Sequence, residues 1–134
     1  RLEHDVAVLA TGLVAPPAVA RWGLGDERGV PVGATLTHPD HPHVHAAGDC
    51  AHFLPRPLPR VGVFGVRQAP VLLASLEARA AGEPLPEFAP QGRYLGVLDL
   101  GGVGLAVRGR LWWWGRSALR LKRRIDERWL AGYR

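Results

Sequence analysis

Two short stretches set a glycine beside a polar side chain at the end of an apolar run: Leu9-Ala10-Thr11-Gly12 and Ala46-Ala47-Gly48-Asp49. In an open α/β sheet, ligands sit outside the carboxyl ends of the strands. Glycine there lets backbone approach a ligand closely, and a carboxylate beside it accepts hydrogen bonds from sugar-like hydroxyls. The competing reading is plain: each glycine is a turn that follows a strand, and the carboxylate is solvated. Taken singly, neither stretch decides between the two.

Two other groups invite chemistry. Cys50 is the single cysteine, which excludes an internal disulfide and a cysteine zinc cage. A reactive thiolate needs a nearby positive charge, and the sequence around Cys50 shows none, so an inert thiol is expected. His38, His41, His43, His45 and His52 fall within fifteen residues. Their spacing fits no zinc pattern and no acid pair completes a tetrahedral set, so a solvated loop is expected and no metal site.

The elements that must position these residues follow from the apolar patterning. Asp5 to Thr11 and Val44 to Ala47 read as strands buried on both faces of a parallel sheet. Ala15 to Trp22 reads as a short helix opened by two prolines, Gly23 to Gly29 as a turn, and Val30 to Leu36 as an extended segment. His38 to His43 is a proline-bounded polar loop, and Pro55, Pro57 and Pro59 mark a second loop. Val61 to Ala81 reads as a helix that stops at Gly82, with a kink or a late start expected from Pro70. Arg93 to Asp99 and Val103 to Arg108 read as a β-hairpin, and roughly the last 20 residues as a helix. The fold class is therefore α/β, divided into residues 1–82, which carry both Gly-ended stretches, and residues 83–134, a hairpin followed by an amphipathic helix.

The chain has 134 residues, 47% hydrophobic and 22% charged, which is a core-forming composition. No run of about 18 to 20 apolar residues is present to span a membrane as a helix, and the amino end has no signal-peptide pattern. Charge is uneven: residues 1–105 hold 8 basic and 10 acidic side chains, residues 106–134 hold 9 and 2. The basic character belongs to the tail, which argues against a nucleic-acid-binding domain and for a local partner. On a helix, Trp114, Ala118, Leu121, Ile125 and Trp129 share one face at spacings of 4, 3, 4 and 4, with Arg116, Arg120, Arg123 and Arg124 on the other. Such a face either packs on the domain or, with Trp112 and Trp113 before it, lies on an anionic membrane or a partner protein.

The blocks Asp5 to Gly12 (DVAVLATG), Asp26 to His38 (DERGVPVGATLTH) and His41 to Ala51 (HPHVHAAGDCA) occur in the order and spacing of the carboxyl-terminal part of FAD-dependent pyridine nucleotide oxidoreductases. The chain resembles that two-dinucleotide-domain, Rossmann-like family over about residues 5–85. The blocks GVFGVRQ (Gly62 to Gln68), PQGRYL (Pro90 to Leu95) and the tail from Trp112 to Leu130 are similar to the NADH dehydrogenase-like flavoproteins associated with selenide, water dikinase. The resemblance implies an FAD site in which Thr11 and Gly12 line the pocket and Gly48 leaves room for the cofactor. Asp49 would accept hydrogen bonds from the ribityl chain or the phosphate-proximal part of FAD. The helix start at Val61, Gly62 and Val63 would aim free N–H groups at the pyrimidine end of the flavin. It also implies a buried Cys50 without redox duty, and an enzyme that passes hydride from NAD(P)H to FAD and electrons onward to an acceptor such as a quinone.

The quinone motif of the type II NADH dehydrogenases, aligned on Gln68, has glutamines where this chain has Val63 and Arg67, which leaves the acceptor open. No G-x-G-x-x-G opening a helix is present: Gly23 to Gly29 has the wrong spacing, and Gly101 to Gly109 falls in the hairpin. The chain is therefore expected to be the carboxyl-terminal piece of a cytoplasmic enzyme, inactive alone, or one held peripherally on the inner face of the membrane. The alternative from another class is a non-catalytic docking module acting through the basic Trp-rich tail.

Overall fold

The computed structural model describes residues 3, 5–8 and 12–132. The chain is mixed α/β, and its compact units are residues 1–90 and 91–134. In the first unit, helix α1 (Pro17–Arg21) precedes strand β1 (Val30–Val32); a 3-10 turn (Gly48–Cys50) leads into β2 (Ala51–Phe53), and α2 (Gly62–Ala81) follows. The second unit is β3 (Leu95–Asp99), β4 (Gly104–Arg108), β5 (Leu111–Gly115) and α3 (Arg116–Ala131). No helix among the described residues is long and apolar enough to cross a membrane.

In the first unit α2 packs on the Gly48–Cys50 turn, and β1 and β2 form a two-stranded parallel pair with Val30 opposite Ala51 and Val32 opposite Phe53. Phe64, Gln68, Ser75 and Ala78 are the buried residues of α2, spaced so that they fall on one stripe. The helix starts at Gly62, so Pro70 imposes no late start. Pro70 is exposed, and the carbonyl its missing N–H would have met belongs to Val66, itself 38% exposed and open to water. At the other end Gly82 takes the left-handed conformation (φ 71°) and Glu83 donates its N–H to the Ala78 carbonyl at 2.8 Å, the expected glycine stop. Phe88 sets its ring edge-on to Phe53, centroids 5.6 Å apart, and donates its N–H to the Ala34 carbonyl. The boundary therefore falls after Pro90 rather than at residue 82.

Two strand expectations are corrected. Asp5 to Val8 form no strand and Val6 and Val8 are 80% and 88% exposed; Leu9 to Thr11 lie outside the described residues. A buried strand needs ladder partners, and β1 and β2 pair with each other, not with residues 5–8. Val44 to Ala47 also stays out of the parallel pair. His38 and Ala46 donate their N–H groups to the Val44 and Leu36 carbonyls, and Thr37 bridges to His45, so this segment folds back locally. The parallel strand begins after Gly-Asp-Cys instead of ending before it.

In the second unit the expected hairpin is present but gains a third strand. Gly109 and Arg110 form a two-residue turn, and Leu111 to Gly115 pairs antiparallel with β4, Trp112 opposite Val107 and Trp114 opposite Leu105. Trp114 is therefore a strand residue and not the first residue of the helical face. Consecutive tryptophans fit a strand, where aromatic side chains pack across to β-branched and aliphatic neighbours. Helix α3 lies on one side of this sheet, with Ala118 and Leu119 buried, while Ile125 and Trp129 remain 45% and 43% exposed.

The closest packing in this unit is at Gly104. A Cβ there would come 2.6 Å from the Leu119 backbone nitrogen and 3.0 Å from the Ala118 carbonyl carbon. Backbone cannot give way cheaply, so Gly104→Ala should force α3 off the sheet and cost about 1–3 kcal/mol. Urea unfolding followed by tryptophan emission checks this; an unchanged midpoint would contradict the packing described.

Candidate functional site

The Gly48-Asp49 turn sits on the amino-terminal half of α2. Gly48 adopts a left-handed backbone (φ 68°), and a Cβ on Gly65 would stand 3.3 Å from the Gly48 Cα, so two glycines permit the approach. The Gly48 N–H is accepted by the Gln68 Oε1 at 2.6 Å, and Gln68 is 2% exposed. Cys50 closes the turn, its Sγ donating to the Ala47 carbonyl at 3.1 Å. The sole thiol is thus engaged in turn geometry.

Arg60, one residue before the cap of α2, ties together the remaining loop segments of this corner. Its Nε donates to the Asp49 carbonyl at 3.0 Å, one terminal nitrogen to the Leu13 carbonyl at 3.2 Å, and the other to the Arg28 and Glu27 carbonyls at 2.7 and 3.4 Å. A guanidinium has five N–H donors in a rigid fork, which is what lets one side chain gather carbonyls from three segments. Sequence reading passed over this residue. Its signal was a long donor side chain set directly after the last proline of the approach to the helix, the second arginine there after Arg56.

The expected site residues separate accordingly. Gly48, Asp49 and Val61 line one small cleft with Phe64, Gly65 and Gln68, and Gly62 and Val63 are the first two residues of α2 above it. Gly12 is exposed with open space about it, tethered to the same corner through its neighbour Leu13. Thr11 lies outside the described residues. Val61 caps α2 without a side-chain hydrogen bond, and among the described residues the Gly62 and Val63 N–H groups meet no acceptor. The Asp49 carboxylate is exposed and likewise makes no hydrogen bond or ion pair among the described residues. An uncommitted carboxylate beside an uncapped helix start can accept hydroxyl donors on one side while backbone N–H groups hold negative charge on the other.

The histidine segment is more than a solvated loop. His38 is 6% exposed and its Nδ1 accepts the N–H groups of Asp40 and His41 at 3.0 and 3.2 Å, closing the polar turn. His45 sets Nδ1 3.2 Å from the Thr37 hydroxyl and buries Nε2 without a partner. Among the described residues no three His, Cys, Asp or Glu side chains converge on a metal position. Compared with known proteins, the chain matches no protein-family model and no curated protein.

Two outcomes follow for this unit. Gln68→Ala leaves the part-buried Gly48 N–H without its acceptor and should cost about 1 kcal/mol in urea unfolding; a cost within error of zero would mean that the turn stands without it. Burial first, then the nearby Arg79 charge, holds the His45 pKa below its ordinary 6.5. The unfolded chain then binds the extra proton more readily, so this contribution to stability is intact above about pH 6.5 and is lost as the pH falls toward the depressed folded value. The stability of His45→Leu should decline less than wild type between neutral and acid pH; parallel curves would remove His45 from the account.

Proposed function

We propose that this chain supplies one wall of an FAD site in an FAD-dependent NAD(P)H oxidoreductase of the two-dinucleotide-domain type. The observation that carries the reading is the juxtaposition of Gly48-Asp49 with the uncapped start of α2 at Val61, Gly62 and Val63. These are the residues that the resemblance assigns to the cofactor, and their free groups fit it. The Asp49 carboxylate is an unengaged acceptor for ribityl hydroxyls. The N–H groups of Gly62 and Val63 are unengaged donors where a flavin gathers negative charge on reduction. FAD, when bound, supplies hydride acceptance from NAD(P)H and onward electron transfer.

The protein's part is positional. Arg60 and Gln68 hold the turn from its two ends, through the Asp49 carbonyl and the Gly48 N–H, so the Asp49 side chain leaves a fixed backbone. Gln68, the residue on which the quinone motif aligns, is committed to that bond, which supports an acceptor site built without it. The phosphate-cradling loops for FAD and NAD(P)H belong, on this reading, to other segments of the enzyme.

The test is visible absorbance of the full-length protein. Wild type should show a flavin spectrum that bleaches when NADH is added without oxygen. Asp49→Ala should keep its fold by circular dichroism and lose about tenfold or more in flavin affinity, the loss of one charge-assisted hydrogen bond. Retention of flavin at wild-type affinity would overturn the assignment of Asp49, and a protein that takes up no FAD would overturn the function.

A further inference from the structure

The three-stranded sheet of the second unit has two unlike faces. The register places Val97, Ala106 and Trp113 in one cross-strand row, and Ala106 is fully buried. That row and Gly104 face α3, because a Cβ on Gly104 would strike the α3 backbone. The alternate rows, Gly96-Val107-Trp112 and Leu98-Leu105-Trp114, therefore face away from the helix. On that second face Trp112 is 68% exposed, Trp114 69%, Leu98 59% and Val107 37%. A tryptophan presents roughly 150–250 Å² when fully accessible. The patch therefore reaches about the 400 Å² beyond which an exposed apolar surface marks an interaction site.

Charge selects the occupant. Residues 91–134 carry ten basic and three acidic side chains, net +7. A second copy would bring the same charge against it, which opposes self-association and favours an anionic surface. No acidic residue occupies either outward row, and the acid at their end, Asp99, accepts the Gly101 N–H inside its own hairpin loop. Arg93 lies against Gly109 and lines a concavity with Tyr94, Leu98 and Val107, while the exposed Arg110 stands in the adjoining turn. Tryptophans with an apolar body and a polar N–H, edged by arginines, match the boundary between acyl chains and anionic headgroups. A nucleic acid would meet hydrophobic rings here rather than a cationic groove, since α3 and its arginines lie on the other side of the sheet.

We propose that the β3–β4–β5 face docks on an anionic lipid bilayer, with Trp112, Trp114, Leu98 and Val107 entering the interface and Arg93 and Arg110 meeting the headgroups. The α3 arginines lie behind the sheet and add attraction that salt screens within about 10 Å. This docking does not depend on the flavin reading, because the surface lies wholly in the second unit.

The test is co-sedimentation of the 134-residue chain with phosphatidylcholine vesicles, with and without phosphatidylglycerol. Binding should require the anionic lipid and weaken with salt, and lipids brominated in the acyl chain should quench tryptophan emission. Trp112→Ser with Trp114→Ser should lower partitioning about tenfold or more and remove most of the quenching. Those side chains are mostly exposed, so the variant should keep its fold by far-UV circular dichroism, with a small loss of stability from two cross-strand pairs. Arg123→Glu with Arg124→Glu should reduce binding less and leave the quenching in what remains bound. The proposal falls if the helix variant abolishes binding while the tryptophan variant does not. It falls equally if the chain ignores anionic vesicles, self-associates through this face by light scattering, or binds an acidic polypeptide or single-stranded DNA in preference to the vesicles.

Discussion

One guanidinium sets the geometry of the first unit. The regular sheet there is a pair of three-residue strands, so most of the backbone outside α2 must find partners by other means. Arg60 answers for four carbonyls at once: Leu13, Glu27, Arg28 and Asp49. Each is a charge-assisted hydrogen bond, the stronger kind, and the planar fork orders three loops with a single side chain. Gly48 then has one place to go, over Gly65 and onto the Gln68 amide. The position of Asp49 at the start of α2 is thus a consequence of loop tethering, and no sheet ladder directs it there.

The second unit rests on a different constraint, a steric one. Sheet and helix meet where Gly104 lies against the Ala118–Leu119 backbone, and Ala106 and Ala118 are fully buried, small residues that let the backbones come close. A thin contact of this kind buries little of the larger apolar side chains. Tryptophan is accordingly left on the outer face, and Ile125 and Trp129 stay part-exposed on α3. The amphipathic spacing read along the tail is real for α3 itself but overstates how much of that face is buried.

What the sequence displayed was whatever has a period or a punctuation mark. Helix α2 was legible from its apolar spacing and its Gly82 stop, and the β3–β4 hairpin from its glycine turn. The Val44 to Ala47 segment misled because a short apolar run looks alike in a parallel ladder and in a local fold-back. The register was decided by the Leu36 and His38 backbone, which no side-chain pattern records. Trp114 fits the helical face only if the period-3.6 reading is carried back two residues past the start of α3 at Arg116. Gly109-Arg110, a two-residue turn before an aromatic run, was the available sign of a third strand. Arg60 and Gln68 were illegible as structural residues, since each acts on carbonyls or an N–H far away in sequence.

That distinction bears on which residues belong to a site. Gly48, Cys50, Arg60, Gly65 and Gln68 each have a demonstrable task in the fold, so their presence needs no ligand to account for it. Asp49 and the N–H groups of Gly62 and Val63 have none among the described residues. A carboxylate near a helix start gains a few tenths to about 1 kcal/mol from the helix dipole, a small return if that were its whole purpose. A serine or aspartate at the cap position itself would serve α2 better, yet Val61 holds that place and leaves two donors bare. Helices α1 and α3 also start without a side-chain cap, but at α2 an acceptor side chain stands exposed beside the bare donors, an arrangement that makes physical sense when both the donors and the acceptor are reserved for the same molecule.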